Sequence, residues 1–261
     1  MTQTNGTSHN GSSSSNGKVA LVTGGTRGIG LAISIALAGA GYRVYAVYAR
    51  NRAAAQLLAD HAKKSGLDIR CLRANLADED GCALCVHTIK AETTHVDVIV
   101  HSAASGVHRE VTKLTPKHIR WTFDINVVSI HTLLLELVPM MPAGGRIIGL
   151  TSFGATHVNS LTYGAVGSSK AALESLFRHY ARELAPRGIA VNLVSPGLVA
   201  TTALDAFPDK EYQLETGLAL TPTGRLTTPE DVAGVVLFAC SEAAAQVVGQ
   251  TIYVDGGRSL R

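Results

Sequence analysis

Short apolar runs rich in Val, Ile and Leu recur along the chain and alternate with longer segments of helical period. The runs predict strands over Val19 to Thr23, Val44 to Tyr48, Asp68 to Arg73, Val96 to His101, Arg146 to Thr151, Ile189 to Val194 and Thr251 to Val254. Between them, helices are expected over Ile29 to Ala40, Arg52 to Ser65, Asp78 to Glu92, Pro116 to Met141, Thr162 to Leu184 and Pro229 to Cys240. Strands this apolar are buried on both faces, and their alternation with helices predicts an α/β fold, a doubly wound parallel sheet of seven strands in one domain. Leu198 to Thr227 breaks the pattern. It holds no clear strand and is long for a connection, so it is expected to be a substrate lid, with one or two helices within Thr202 to Leu220.

The chain has 261 residues, and the first 17 are mostly Ser, Asn, Gly and Thr. They are expected to be a disordered tail, with residues 18–261 forming the single domain. The start of the chain lacks a basic and apolar leader, and no run of 18 apolar residues follows, so neither secretion nor membrane insertion is expected. The expected compartment is the cytoplasm. A net charge of +3 spread over scattered Lys and Arg gives no support to nucleic-acid binding. Cys82-Ala-Leu-Cys85 has redox or half-zinc-site spacing, but it lies in a helix with no second pair, and packed thiols with no metal are expected.

Candidate chemistry starts after the first strand, where residues 23 to 30 read TGGTRGIG. Gly24, Gly28 and Gly30 can let a backbone approach a pyrophosphate, and the helix that follows presents free N–H groups and its positive dipole end. At the end of the second strand an NAD site places Asp or Glu, whereas this chain reads Val47-Tyr48-Ala49-Arg50-Asn51-Arg52. With no carboxylate there, Arg50, Arg52 and, inside the glycine turn, Arg27 are candidates for pairing with the 2′-phosphate of NADP.

A second candidate is the pair Tyr163 and Lys170. An ammonium beside a phenol favours the phenolate and makes a proton donor. Seven positions along a helix return to nearly the same face and set the phenol about 4 to 5 Å further along the axis than four positions would. Four before Lys170 stands Val166, which has no proton to give.

These residues, with Asn126, Ser152, Ser195-Pro196-Gly197 and the terminal Tyr253-Val254-Asp255-Gly256-Gly257, give a chain that resembles the short-chain dehydrogenase/reductases over nearly everything after residue 17. Six residues between the Tyr and the Lys, where most members have three, is similar to bacterial enoyl-acyl-carrier-protein reductases. Ala103-Ala104-Ser105-Gly106, the stretch Val166 to Glu174 and Val254 to Leu260 resemble their NADPH-dependent type III branch.

The resemblance implies reduction of the carbon–carbon double bond of a trans-2-enoyl thioester by NADPH, in a homotetramer, on acyl carrier protein or coenzyme A. Tyr163 would stabilise the enolate, Lys170 would hold the nicotinamide ribose, and Ser152 is either a substrate donor or a support. Gly24, Thr26, Arg27, Gly28, Ile29, Gly30, Arg50, Asn75, Leu76, Ala103, Lys170, Pro196 and Gly197 would bind the cofactor, and Phe153, Tyr163, Leu204 and Phe207 the substrate. Three departures from the family stand out. Phe153 replaces a second tyrosine, His101-Ser102-Ala103-Ala104 replaces Asn-Asn-Ala-Gly, and Asn75-Leu76 replaces Asp-Val. His101 either touches the cofactor or is structural, and Asn126 either fixes the middle helix or joins proton transfer. The alternative functions are reduction of a 3-oxoacyl thioester or other ketone, and a non-catalytic NADPH sensor.

Overall fold

The computed structural model describes residues 17–158, 160–201, 204 and 210–260. Seven strands pair in parallel: β1 (Val19–Thr23), β2 (Arg43–Tyr48), β3 (Ile69–Arg73), β4 (Val98–His101), β5 (Arg146–Leu150), β6 (Ala190–Pro196) and β7 (Thr251–Val254). Their order across the sheet is β3-β2-β1-β4-β5-β6-β7. The direction of winding reverses between β1 and β4, and at such a switch point a crevice opens at the carboxyl ends of the strands.

All five residues of β1 and all five of β5 are buried, as expected of strands covered on both faces. One face packs against α1 (Gly28–Gly39) and α8 (Pro229–Cys240), with Ile33, Leu37, Val232 and Val236 inaccessible. The other carries α3 (Glu79–Glu92), α5 (Ser129–Leu137) and α6 (Gly164–Leu184). Helix α2 (Arg52–Ser65) packs along β3. Asn51 caps α2 through a bond from the Ala54 N–H, and Thr228 starts α8 with a capping box to Asp231.

The single helix expected over Pro116 to Met141 is one continuous helical run over Pro116–Met140, made of α4 (Pro116–Phe123), a π turn at Asp124–Val128, α5, and a 3-10 turn at Val138–Met140. Within the π turn the Asn126 carbonyl takes a bond from the His101 ring, and Pro139 cannot donate to continue α5. The run Pro116–Met140 is apolar and long enough to cross a membrane. Here it is a layer of the fold, with Ile130, Leu133, Leu134 and Leu137 wholly buried.

Several strand ends also shift, β6 running from Ala190 to Pro196 instead of Ile189 to Val194. In the expected lid, Val199 bridges to Thr227, which ties the two ends of the segment together, and α7 (Lys210–Ala219) is its one α-helix among the described residues. The tail expected to be disordered lies, except for Gly17, outside the described residues.

Candidate active site and cofactor cleft

A cavity of about 670 Å³ occupies the crevice over the β1–β4 switch point. Its floor is the glycine turn. A Cβ on Gly30 would stand 2.2 Å from the Gly24 carbonyl oxygen, and one on Gly24 would stand 2.9 Å from the Ala103 Cα. Only backbone fits there, so main-chain N–H groups at the start of α1 are left to face a ligand. Gly24, Thr26, Arg27, Gly28, Ile29, Gly30, Arg50, Asn75, Leu76, Ala103, Pro196 and Gly197 all line this cavity. Arg27 and Arg50 are exposed at its rim, whereas Arg52 does not line it. The donor set fits a dinucleotide with an extra phosphate. A narrow turn of N–H groups can meet the diphosphate, Arg50 at the end of β2 stands where NAD sites carry an acid, and Arg27 adds a second guanidinium from the glycine turn.

The other half of the cavity is lined by Ser152, Phe153, Ser160, Tyr163, Lys170, Leu198, Leu204, Gln213 and Arg258. Tyr163 is the N-cap of α6 and not a residue within it, since its φ of −93° and ψ of 3° leave the helix to begin at Gly164. The turn Ser160–Tyr163 holds it, with the Tyr163 N–H on the Ser160 carbonyl at 3.2 Å. Ser152 follows β5 and caps a 3-10 turn by accepting from the Gly154 N–H at 3.0 Å. Its own hydrogen then remains available, and the Ser152 hydroxyl lines the same part of the cavity as the Tyr163 phenol, near enough to favour its ionised form. Burial raises the phenol's pKa, and Ser152 opposes that rise.

Lys170 is 4% exposed and donates from Nζ to the Leu150 carbonyl oxygen at 2.7 Å. Burial pulls its pKa down to about 8. The expectation that the ammonium lowers the phenol's pKa is therefore corrected, because the groups acting on Tyr163 are its burial and Ser152. The helix starts slightly later than the expected Thr162, with Tyr163 as its cap and the Tyr163 carbonyl accepting the Gly167 N–H at 2.7 Å. Val166, in the slot four before Lys170, does not line the cavity and packs against the loop after β4.

Asn126 is fully occupied as a clamp. Its Oδ1 accepts from the Ser105 N–H, and its Nδ2 donates to the Ser105 carbonyl and to the Ser169 hydroxyl, at 2.8 to 2.9 Å. His101 is structural and does not reach the cavity. Thr23 Oγ1 accepts from the Ser102 and Ala103 N–H groups, so its hydrogen goes to His101 Nδ1. The imidazole is then the neutral Nε2–H form, donating to the Asn126 carbonyl at 3.2 Å. Burial, helped by the nearby Lys170 charge, lowers its pKa to about 3.

Phe153 stacks on His157 with ring centroids 4.2 Å apart. Leu204 is buried, whereas Phe207 lies outside the described residues. Trp121, Ile125, Gln213 and Arg258 line the cavity without having been expected there. Trp121 and Ile125 stand four apart on the predicted middle helix, a signal the sequence carried; nothing in the sequence pointed to Gln213 or Arg258. Cys82 and Cys85 are free buried thiols, with pKa values pushed up by burial to about 11 and about 12. No metal-binding cluster occurs among the described residues.

Residues 24–259 match the family model described as Enoyl-(Acyl carrier protein) reductase. The chain is similar to the 3-oxoacyl-(acyl-carrier-protein) reductase FabG of Staphylococcus aureus, at 33% identity over 252 residues, covering 92% of this chain and 97% of that one. It is 30% identical over 245 residues to a 1-cyclohexenylcarbonyl-CoA reductase of Streptomyces collinus, covering 93% of this chain and 87% of that protein. Among solved structures, a short-chain dehydrogenase of Burkholderia cenocepacia in complex with NADP superposes with a TM-score of 0.83. It is 30% identical, with 92% of this chain and 97% of that one covered.

The expectation of enoyl reduction is overturned, since near-full-length curated relatives at 33% identity, from two Staphylococcus species, bear the 3-oxoacyl reductase name. It rested on a seven-residue interval between Tyr163 and Lys170 that does not by itself select the reaction. With fold, glycine turn, Tyr163, Lys170 and near-complete coverage in agreement, the chain belongs to the short-chain dehydrogenase/reductase superfamily.

Proposed function

We propose that this protein is an NADPH-dependent carbonyl reductase acting on a 3-oxoacyl thioester. The convergence of Ser152, Tyr163 and Lys170 on one cleft carries the reading. Two hydroxyls at one point of the cleft can both donate to a ketone oxygen, and that oxygen gathers negative charge as its carbon is reduced. In enoyl reduction the charge gathers on an oxygen three bonds from the reduced carbon, which asks for no such pair at the reacting centre.

The glycine turn and the rim arginines would hold the cofactor, which would supply hydride when bound. Tyr163 gives its proton to the ketone oxygen, and Ser152 holds that oxygen by a second bond. Burial keeps the phenol protonated at neutral pH, the state that a proton donor needs. Lys170 spends one N–H on Leu150 and has two left for ribose hydroxyls. Phe153 and Leu204 shield the reacting carbon from water.

The thioester is carried on acyl carrier protein in this reading, supported by the printed name of the Staphylococcus relative. Four free thiols suit the cytoplasm. Exposed Val128 and Leu135 on and beside α5, with Tyr253 and Leu260 near the carboxyl end, support assembly into a homotetramer.

The test is NADPH oxidation with acetoacetyl and crotonyl thioesters side by side. Turnover with acetoacetyl is expected. Turnover with crotonyl alone would overturn the proposal.

A further inference from the structure

The substrate end of the cleft holds a cation that the reaction above does not use. Arg258 lines the cavity together with Leu198, Gln213 and Asp255, whereas the arginines assigned to the cofactor, Arg27 and Arg50, sit by the glycine turn and the end of β2. A built turn aims it there. Asp255 accepts from the N–H groups of Gly257 and Ser259 at 3.0 and 2.8 Å, and Gly256 and Gly257 take φ values of 63° and 86°. These bonds occupy the Asp255 carboxylate and bring the guanidinium beneath the lid helix, where a Cβ on Gly217 would be 3.2 Å from Arg258 Nη1.

Among the described residues, no carboxylate forms an ion pair with Arg258 and no group accepts a bond from its guanidinium. The charge nearest to offsetting its burial is Asp255, which does not reach it as an ion pair and already accepts two N–H bonds, so the lost hydration is only partly compensated and a ligand oxyanion would complete it. Arg carries five donors in a planar fork that matches a carboxylate or phosphate.

We propose that Arg258 is the substrate-binding residue for an oxyanion of the thioester substrate, seated between β7 and the lid helix. The oxyanion is either the phosphate of the carrier's pantetheine arm or a carboxylate at the far end of the acyl group. This rests on the reading of the cleft as a thioester site. The anion would sit beneath α7, which already lies over Arg258 at Gly217.

The test needs no turnover. Trp121 is the sole tryptophan and lines the same cavity, so its fluorescence reports on ligands in the cleft. Pantetheine 4′-phosphate, glutarate and uncharged pantetheine are titrated into the NADP⁺ complex of the wild type, Arg258→Gln and Arg258→Lys. In Arg258→Gln the affinity for one anionic probe is expected to fall about tenfold or more relative to uncharged pantetheine, as loss of a charge-assisted bond does, with Arg258→Lys recovering part of it. The probe that responds identifies the source of the oxyanion. Equal losses for all three probes, or none, would overturn the assignment. Failure of the wild type to reduce any thioester while this charge selectivity persists would instead sink the catalytic reading and leave the anion site standing.

Discussion

Lys170 Nζ donates to the carbonyl oxygen of Leu150 at 2.7 Å, at a depth where only 4% of the residue is exposed. This fixes the ammonium at the end of β5, beside the residue that leads into Ser152. It also makes the lysine costly. Its pKa falls from 10.5 in the unfolded chain to about 8 in the fold. Between those values the unfolded chain holds the proton and the folded one does not, so stability rises as pH climbs from about 8 towards 10.5. Below that window the penalty is fully present, at most about 3 kcal/mol. Lys170→Met should therefore lose activity but gain stability in urea at pH 7, with the gain shrinking at pH 10. An equal gain at both pH values would refute it.

Ser152 opposes the rise in the Tyr163 pKa. Ser152→Ala should slow reduction of an acetoacetyl thioester by roughly 10² and Tyr163→Phe by more, within the range for losing a proton donor or an oxyanion donor. Since the serine favours the phenolate, its removal should also move any alkaline limb set by the phenol to higher pH. A pH profile that falls uniformly would mean that Ser152 only shapes the loop.

His101 joins Thr23 to the π turn as a neutral ring with a pKa near 3. The unfolded chain takes up this proton below pH 6.5 and the fold does not, so stability should drop by about 1.4 kcal/mol per pH unit on that account between roughly 6 and 3. His101→Gln can keep one bond but has no such titration. Urea midpoints of the two proteins should diverge at pH 7 and converge towards pH 4.

Arg27 and Arg50 share the rim of the cleft. Arg50→Ala should raise KM for NADPH about tenfold and leave that for NADH little changed, and adding Arg27→Ala should widen the gap. Steady-state kinetics with both cofactors decides it. Parallel losses for the two would place the 2′-phosphate elsewhere.

The alternation of apolar runs was enough for seven parallel strands, because strands covered on both faces leave a period that composition alone displays. The glycine turn was equally plain, since Gly30 has no room for a Cβ. The π turn inside the middle helix was not, because it depends on a partner 25 residues away, His101, whose ring holds the Asn126 carbonyl. Tyr163 shows the same limit. Its distance from Lys170 could be counted, but its place as the cap of α6 follows from the Ser160 turn, whereas the helical period runs on to Thr162. Arg258 was hidden because its role depends on which helix lies over it.

The position of Tyr163 also predicts that the hydroxyl cannot be moved to the commoner spacing. Val166 is 6% exposed, and a Cβ built on Gly106 would lie 2.2 Å from its Cγ2, so the loop after β4 and the first turn of α6 are already in contact. A phenol at residue 166 would have to drive that loop away, disturbing Ser105 and its bonds to Asn126. Overpacking of this kind costs about 1 to 3 kcal/mol. The double variant Tyr163→Phe, Val166→Tyr should thus melt several degrees lower than Tyr163→Phe alone and recover no reductase activity. Recovery of turnover with an acetoacetyl thioester would show that the loop yields, and that Val166 had been blocking a second position for the proton donor.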